Sequence, residues 1–225
     1  MLLIRSWLLG INEHCLFSPV LLCAYQLFKK SHKTLLVADV SHNSLSQNIS
    51  DVLKNIPVQL EELHLSHNSL RGNLPMDFGN LHDMKKLYLD SNRLSGSIPL
   101  LSVAFPKLQE LDVSNQKHEY NQGLVGTIPD SFADLPFLST LNLANNSISG
   151  VIPPFIADLS RLQKLDLSHN KLTHTIPAVL GKLGGETVIE TFSYVMLIFK
   201  NYCFIHVFTK ASLRFLICLT IGCLD

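Results

Sequence analysis

A spaced pattern of leucines with one asparagine constrains this chain more than any other feature. From Leu60 it reads L-E-E-L-H-L-S-H-N-S-L-R-G-N-L-P-M-D-F-G-N-L, and the frame returns 24 residues later at Met84. Leu60, Leu63, Leu65, Asn68, Leu70, Gly72, Leu74, Pro75, Phe78 and Leu81 are its fixed points. In the next copy they become Met84, Leu87, Leu89, Asn92, Leu94, Gly96, Ile98, Pro99, Val103 and, out of step, Phe105. Other copies open at Leu35, Leu108, Leu138 and Leu162, so the six starts are spaced by 25, 24, 24, 30 and 24 residues. Such a period predicts coils stacked on one another, because one coil cannot bury its apolar side alone.

Each copy carries its own local instructions. Leu63-x-Leu65 alternates apolar and polar residues, which predicts a short strand with one side inward and one outward. Asn68 follows where the chain must turn. Its amide can satisfy backbone groups that a tight curve leaves unpaired, and Asn43, Asn92, Asn146 and Asn170 would stack with it into a ladder. Gly72 supplies backbone freedom and Pro75 a fixed φ for the return, with an irregular or 3₁₀ crossing near Phe78 to Leu81. The end copies drift, with Gln47 and His174 at the Gly position and Ser50 at the Pro position. The fourth copy carries six extra residues within Gln116–Gly123, and its ladder asparagine is displaced or replaced.

The L-x-x-L-x-L-x-x-N-x-L frame continued by G-x-I-P resembles the plant-type leucine-rich repeats of receptor-like proteins, receptor-like kinases and polygalacturonase-inhibiting proteins. The resemblance runs from Leu35 to Gly185. It implies an α/β repeat solenoid, a right-handed superhelix of about six 24-residue repeats with a parallel sheet on its concave face. Three segments are expected: an apolar flank or degenerate cap over 1–33, the repeat domain over 34–185, and an apolar tail over 186–225. It further implies a non-enzymatic recognition module that binds a protein or peptide, with a co-receptor as a further partner. The alternatives are an inhibitor of a secreted cell-wall-degrading enzyme, an intracellular scaffold, or a truncated receptor fragment.

Composition narrows the partners. Eighteen basic and eighteen acidic residues cancel, so there is no electrostatic footprint for nucleic acid or an anionic membrane. The five cysteines (Cys15, Cys23, Cys203, Cys218 and Cys223) all lie outside the repeats and form no disulfide framework. Cys15–Phe28 is an uncharged run of 14 residues, shorter than the roughly 20 of a membrane-spanning helix. As an export signal it lacks an adjacent basic lead-in and an A-x-A-like cleavage site. The resemblance implies a cell-surface or extracellular location, and an intracellular one if this run is not a signal. In the tail, Lys200, Lys210 and Arg214 break every apolar run, and a span over Thr191–Thr209 would carry Lys200 at its centre. The tail is expected outside the repeat fold, as a makeshift C-terminal cap or a truncation product.

No residue pattern supports catalysis, a cofactor or a metal. Asp77-Phe78-Gly79 matches a kinase triplet without the Gly-rich loop or the H-R-D segment that would give it meaning. His42, His67 and His169 each precede a ladder asparagine, and no carboxylate or cysteine completes a ligand set. The outward strand positions are where function can be argued. These are Glu62, His64 and Ser66; Lys86, Tyr88 and Asp90; Glu110, Asp112 and Ser114; Thr140, Asn142 and Ala144; and Lys164, Asp166 and Ser168. Glu62, Lys86 and Glu110 alternate in sign, and Tyr88 is an aromatic anchor. Expected partner contacts are therefore Glu62, His64, Lys86, Tyr88, Asp90, Glu110, Asp112, Asn142, Lys164 and Asp166, with Lys117 and Tyr120 from the inserted loop. Asn48-Ile49-Ser50 and Asn145-Asn146-Ser147 are glycosylation acceptor triplets at Asn48 and Asn145.

Overall fold

The computed structural model describes residues 35–54, 56–76, 81–118, 121–173, 177, 187–191, 194–199, 202–207 and 216–220. The apolar run before Leu35, the Asp77-Phe78-Gly79 triplet, Tyr120 and His174 lie outside them.

Each coil contributes one three-residue strand to a common sheet. Val37–Asp39, Glu62–His64, Lys86–Tyr88, Glu110–Asp112, Thr140–Asn142 and Lys164–Asp166 lie side by side, all parallel. The register is set by the central apolar residue, with Ala38, Leu63, Leu87, Leu111, Leu141 and Leu165 paired in turn. All six are at most 1% exposed. Thr187–Thr191 adds a parallel strand beyond Lys164–Asp166, and Tyr194–Phe199, Tyr202–Val207 and Leu216–Thr220 continue the sheet antiparallel. Among the described residues no helix is long and apolar enough to cross a membrane. The described parts of Thr191–Thr209 are strand.

The amide ladder forms as the spacing predicts. Asn92 donates to the carbonyls of Leu89 and Asp90 in its own coil and of Leu65 in the coil before, and accepts the Leu70 N–H at 3.0 Å. Asn68, Asn146 and Asn170 repeat that set one coil at a time. In the fourth coil Gln116 stands on the ladder itself. Its Nε2 reaches the Leu89 and Ser114 carbonyls at 2.8 Å and its Oε1 accepts the Leu94 N–H. The asparagine is thus replaced in place, and the extra residues follow it. They form a hairpin that pairs Lys117 with Gln122 and His118 with Asn121. Leu124 then re-enters the core and donates its N–H to Asn146.

Two further backbone features hold the turns. Gly72 has φ +89°, and a Cβ there would meet Asn48 Nδ2 at 2.6 Å; Gly96 is set in the same way against Asn73. Only glycine combines that left-handed backbone with so close an approach. The residue before each ladder amide is also left-handed, at φ 51–56°, and none is glycine: His42, His67, Ser91, Asn115, Asn145 and His169. His and Asn tolerate that region better than most side chains.

The return crossings vary. Asp130–Asp134 and Pro154–Asp158 are 3₁₀, each entered through a proline near φ −70°. Ile49–Leu53 and Leu101–Ala104 are single α turns. That difference corrects one expectation, because Val103 is not a core position: it is 77% exposed. In the α turn, Leu101 and Ala104 lie three apart and face inward, and Val103 points away. Phe105, fully buried, falls 24 residues after Leu81 and occupies the same slot. It is in step.

Candidate recognition face

Outward side chains of the six strands align in files that run across the coils. One file is Glu62, Lys86, Glu110, Thr140 and Lys164. Lys86 Nζ stands 3.3 Å from Glu110 and 3.8 Å from Glu62, so the alternating signs form a continuous charge ladder. Each such half-exposed pair contributes about 0.2–1 kcal/mol, which orients the side chains more than it stabilises the fold.

The neighbouring file is Asp39, His64, Tyr88, Asp112, Asn142 and Asp166. The His64 ring lies 4.6 Å from the Tyr88 ring. The Tyr88 hydroxyl donates diagonally to Glu110, the carboxylate that also holds Lys86. Burial, then that bond to an anion, pushes the phenol well above its ordinary pKa. Asp112 accepts the Ser114 N–H at 2.9 Å and the Asn142 amide at 2.8 Å. Beyond the strand ends, Asp90 accepts from Ser66 and Ser91 and lies 3.8 Å from His67, whose ring stacks on His42 at 4.3 Å.

The structure therefore brings Glu62, His64, Lys86, Tyr88, Glu110 and Asp112 into one block, with Asp90 and Asn142 at its margin. Lys164 and Asp166 sit two coils away. Lys117 lies on the inserted hairpin. Two outward positions are corrected. Ser114 is 2% and Ala144 8% exposed, whereas Ser66 and Ser168 at the same place in their coils are partly exposed. Asn115 closes over Ser114 with a 3.2 Å bond to its hydroxyl, and Asn145 bonds Asn115 in turn. Sequence reasoning missed Asp39, although its place in the first coil matches His64 and Tyr88 in the next two. Of the glycosylation acceptors, Asn48 is exposed and caps Ile49–Leu53, and the Asn145 Nδ2 is engaged by Asn115.

Asp112 gives the face a pH signature. Burial raises its pKa, with Asp90 adding to the shift against the bonds from Ser114 and Asn142. With the folded pKa above the unfolded one, ionisation favours unfolding. The penalty is absent below the unfolded pKa of about 3.9, grows as pH rises, and is complete above the folded pKa. Asp112→Asn should therefore gain stability relative to the parent as pH rises through the carboxylate range, read from urea midpoints at stepped pH. A difference that does not change with pH would contradict it.

Family comparisons agree with this geometry. Leucine-rich-repeat models match residues 59–81 and 119–173. No curated protein sequence matches the chain significantly. Among solved structures, the Arabidopsis receptor kinase HAESA, in complex with the peptide hormone IDA and the co-receptor SERK1, is 32% identical with a TM-score of 0.62. That match covers 73% of this chain and 26% of the HAESA chain, so this chain spans about a quarter of that relative. A pollen receptor kinase 3 structure is 30% identical over 69% of this chain and 72% of its own, with a TM-score of 0.57. A plant ice-binding protein is 30% identical over 64% and 45%, with a TM-score of 0.58. With its coils, ladder and G-x-I-P turns in register, this chain belongs to the plant-type leucine-rich-repeat family.

Proposed function

We propose that this chain is a non-enzymatic recognition module that binds a peptide or protein across its strand face at the cell surface or outside the cell. The observation that carries the reading is the block around Tyr88. An aromatic ring flanked by His64 and tied to Glu110 is held in place before any partner arrives, and rigid aromatic anchors carry disproportionate binding energy. The HAESA structure, with a peptide hormone and a co-receptor on a similar scaffold, supports the reading. The contacts would come from Glu62, His64, Lys86, Tyr88, Asp90, Glu110, Asp112, Asn142, Lys164 and Asp166, with Lys117 on the hairpin and Tyr120 three residues later in the sequence. Export would expose Asn48 and Asn145 to glycosylation.

The test uses the immobilised full chain against a secreted-peptide fraction, read by mass spectrometry beside Tyr88→Ala, Lys86→Glu and Asp112→Lys. A specific partner should lose at least about tenfold in affinity with Tyr88→Ala, or roughly 1.4 kcal/mol. If all three variants retain the parent's partners, the face is not the site. Inhibition of a polygalacturonase-type hydrolase without peptide capture would instead assign the face to an inhibitor.

A further inference from the structure

Charge is distributed unevenly over the strand face. In the file through Lys86, two glutamates offset two lysines. Along the six coil strands the file through Tyr88 carries Asp39, Asp112 and Asp166, and Asp90 lies beside it, giving four carboxylates and no lysine or arginine. The whole chain is neutral, so this side of the face carries an excess that the rest of the molecule balances. Asp90 lies two residues beyond Tyr88 in the same coil and Asp112 lies beside Tyr88 on the next, both partly buried. Asp112 and Asp166 each accept the N–H two residues on, and Asp90 accepts from Ser66 and Ser91, bonds that satisfy the oxygens without cancelling the negative charge.

Resting on the recognition reading above, we propose that the flank formed by Tyr88, Asp90, Asp112 and Asp166 seats an extended, lysine- or arginine-bearing segment of the partner polypeptide. A cationic side chain placed there meets two carboxylates and the face of an aromatic ring, a combination that binds cations more strongly than either alone. The compensated Glu62–Lys86–Glu110–Thr140–Lys164 file along the other side offers no such excess and serves as a neutral border. Binding of this kind weakens with salt, and like-charged segments are turned away.

Fluorescence anisotropy of the full chain with labelled peptides of alternating Lys and Ser, Glu and Ser, or Gln and Ser tests it at low and high salt. The Lys–Ser peptide should bind, weaken with salt, and lose at least about tenfold in affinity with Asp90→Asn plus Asp112→Asn. Asn at position 112 keeps an oxygen for the Ser114 N–H, and far-UV circular dichroism verifies the fold. Asp83→Asn, whose carboxylate pairs with Lys107 away from this flank, should leave binding unchanged. Equal binding of all three peptides, no binding of the Lys–Ser peptide, or indifference to the double variant would overturn the proposal. Loss of Gln–Ser or Glu–Ser binding with Tyr88→Ala would leave the face as the site and remove only the cationic assignment.

Discussion

Replacing Asn146 with alanine lowers the stability of the array by about 3–5 kcal/mol, because its amide serves two coils at once. The side chain is fully buried, accepts the Leu124 N–H, and donates to the carbonyls of Val113, Leu143 and Ala144. Alanine leaves those backbone groups without that partner in a place water reaches poorly, at about 1–3 kcal/mol for each group left unsatisfied. Some recover through small shifts, so the sum stays below the simple total. Asn43, by contrast, bonds the Val40 and Ser41 carbonyls of its own coil and is partly exposed, so Asn43→Ala should cost about 1 kcal/mol. Urea denaturation of both variants supplies the comparison. Equal losses would mean that the ladder does not couple neighbouring coils.

The second large effect concerns the crossing side of the third coil. Phe105→Ala should cost about 3–5 kcal/mol, since the ring is fully buried and its removal leaves a cavity in the core. Val103→Ser, two residues earlier, should shift stability by no more than about 0.5 kcal/mol, because that side chain already faces water. A reading that made Val103 the core residue predicts the reverse order. Urea midpoints of the two variants separate these accounts without further structural work.

That contrast shows what the sequence carries and what it does not. Strand register was legible because it follows from arithmetic. Leu63, Leu87 and Leu111 are 24 apart, and a ladder amide five residues after each strand's apolar centre fixes where the turn comes. The crossing was less legible. Whether four residues wind as α or 3₁₀ decides which of Leu101, Val103 and Ala104 faces inward, and an apolar letter alone does not say. The left-handed residues were invisible for a different reason, since His42, Ser91 and Asn145 share a φ but no side-chain chemistry.

At the face, the alternation of Glu62, Lys86 and Glu110 could be read directly, and so could the exposure of Tyr88. The diagonal bond from the Tyr88 hydroxyl to Glu110 could not, because register places Asp112 opposite that ring and only the side-chain rotamers choose the diagonal. Nor could the burial of Ser114, which Asn115 bonds, because Ser66 and Ser168 carry the same letter at the same place and stay partly exposed. The hairpin itself was legible as a polar excursion, and its position after Gln116 was fixed only by the glutamine's hydrogen bonds.

The stacking of the coils in this register is open to direct chemical test by carbodiimide coupling of the native chain, followed by peptide mass spectrometry. Ion pairs across adjacent coils should be captured as zero-length links: Lys85 to Glu61 and Lys107 to Asp83, both at 2.7 Å, and Lys86 to Glu110 or Glu62. Each link joins residues 24 apart in the chain. If these lysines couple instead to carboxylates at unrelated separations, and the 24-residue links are absent, the coils are not stacked in this register and the face does not exist as described.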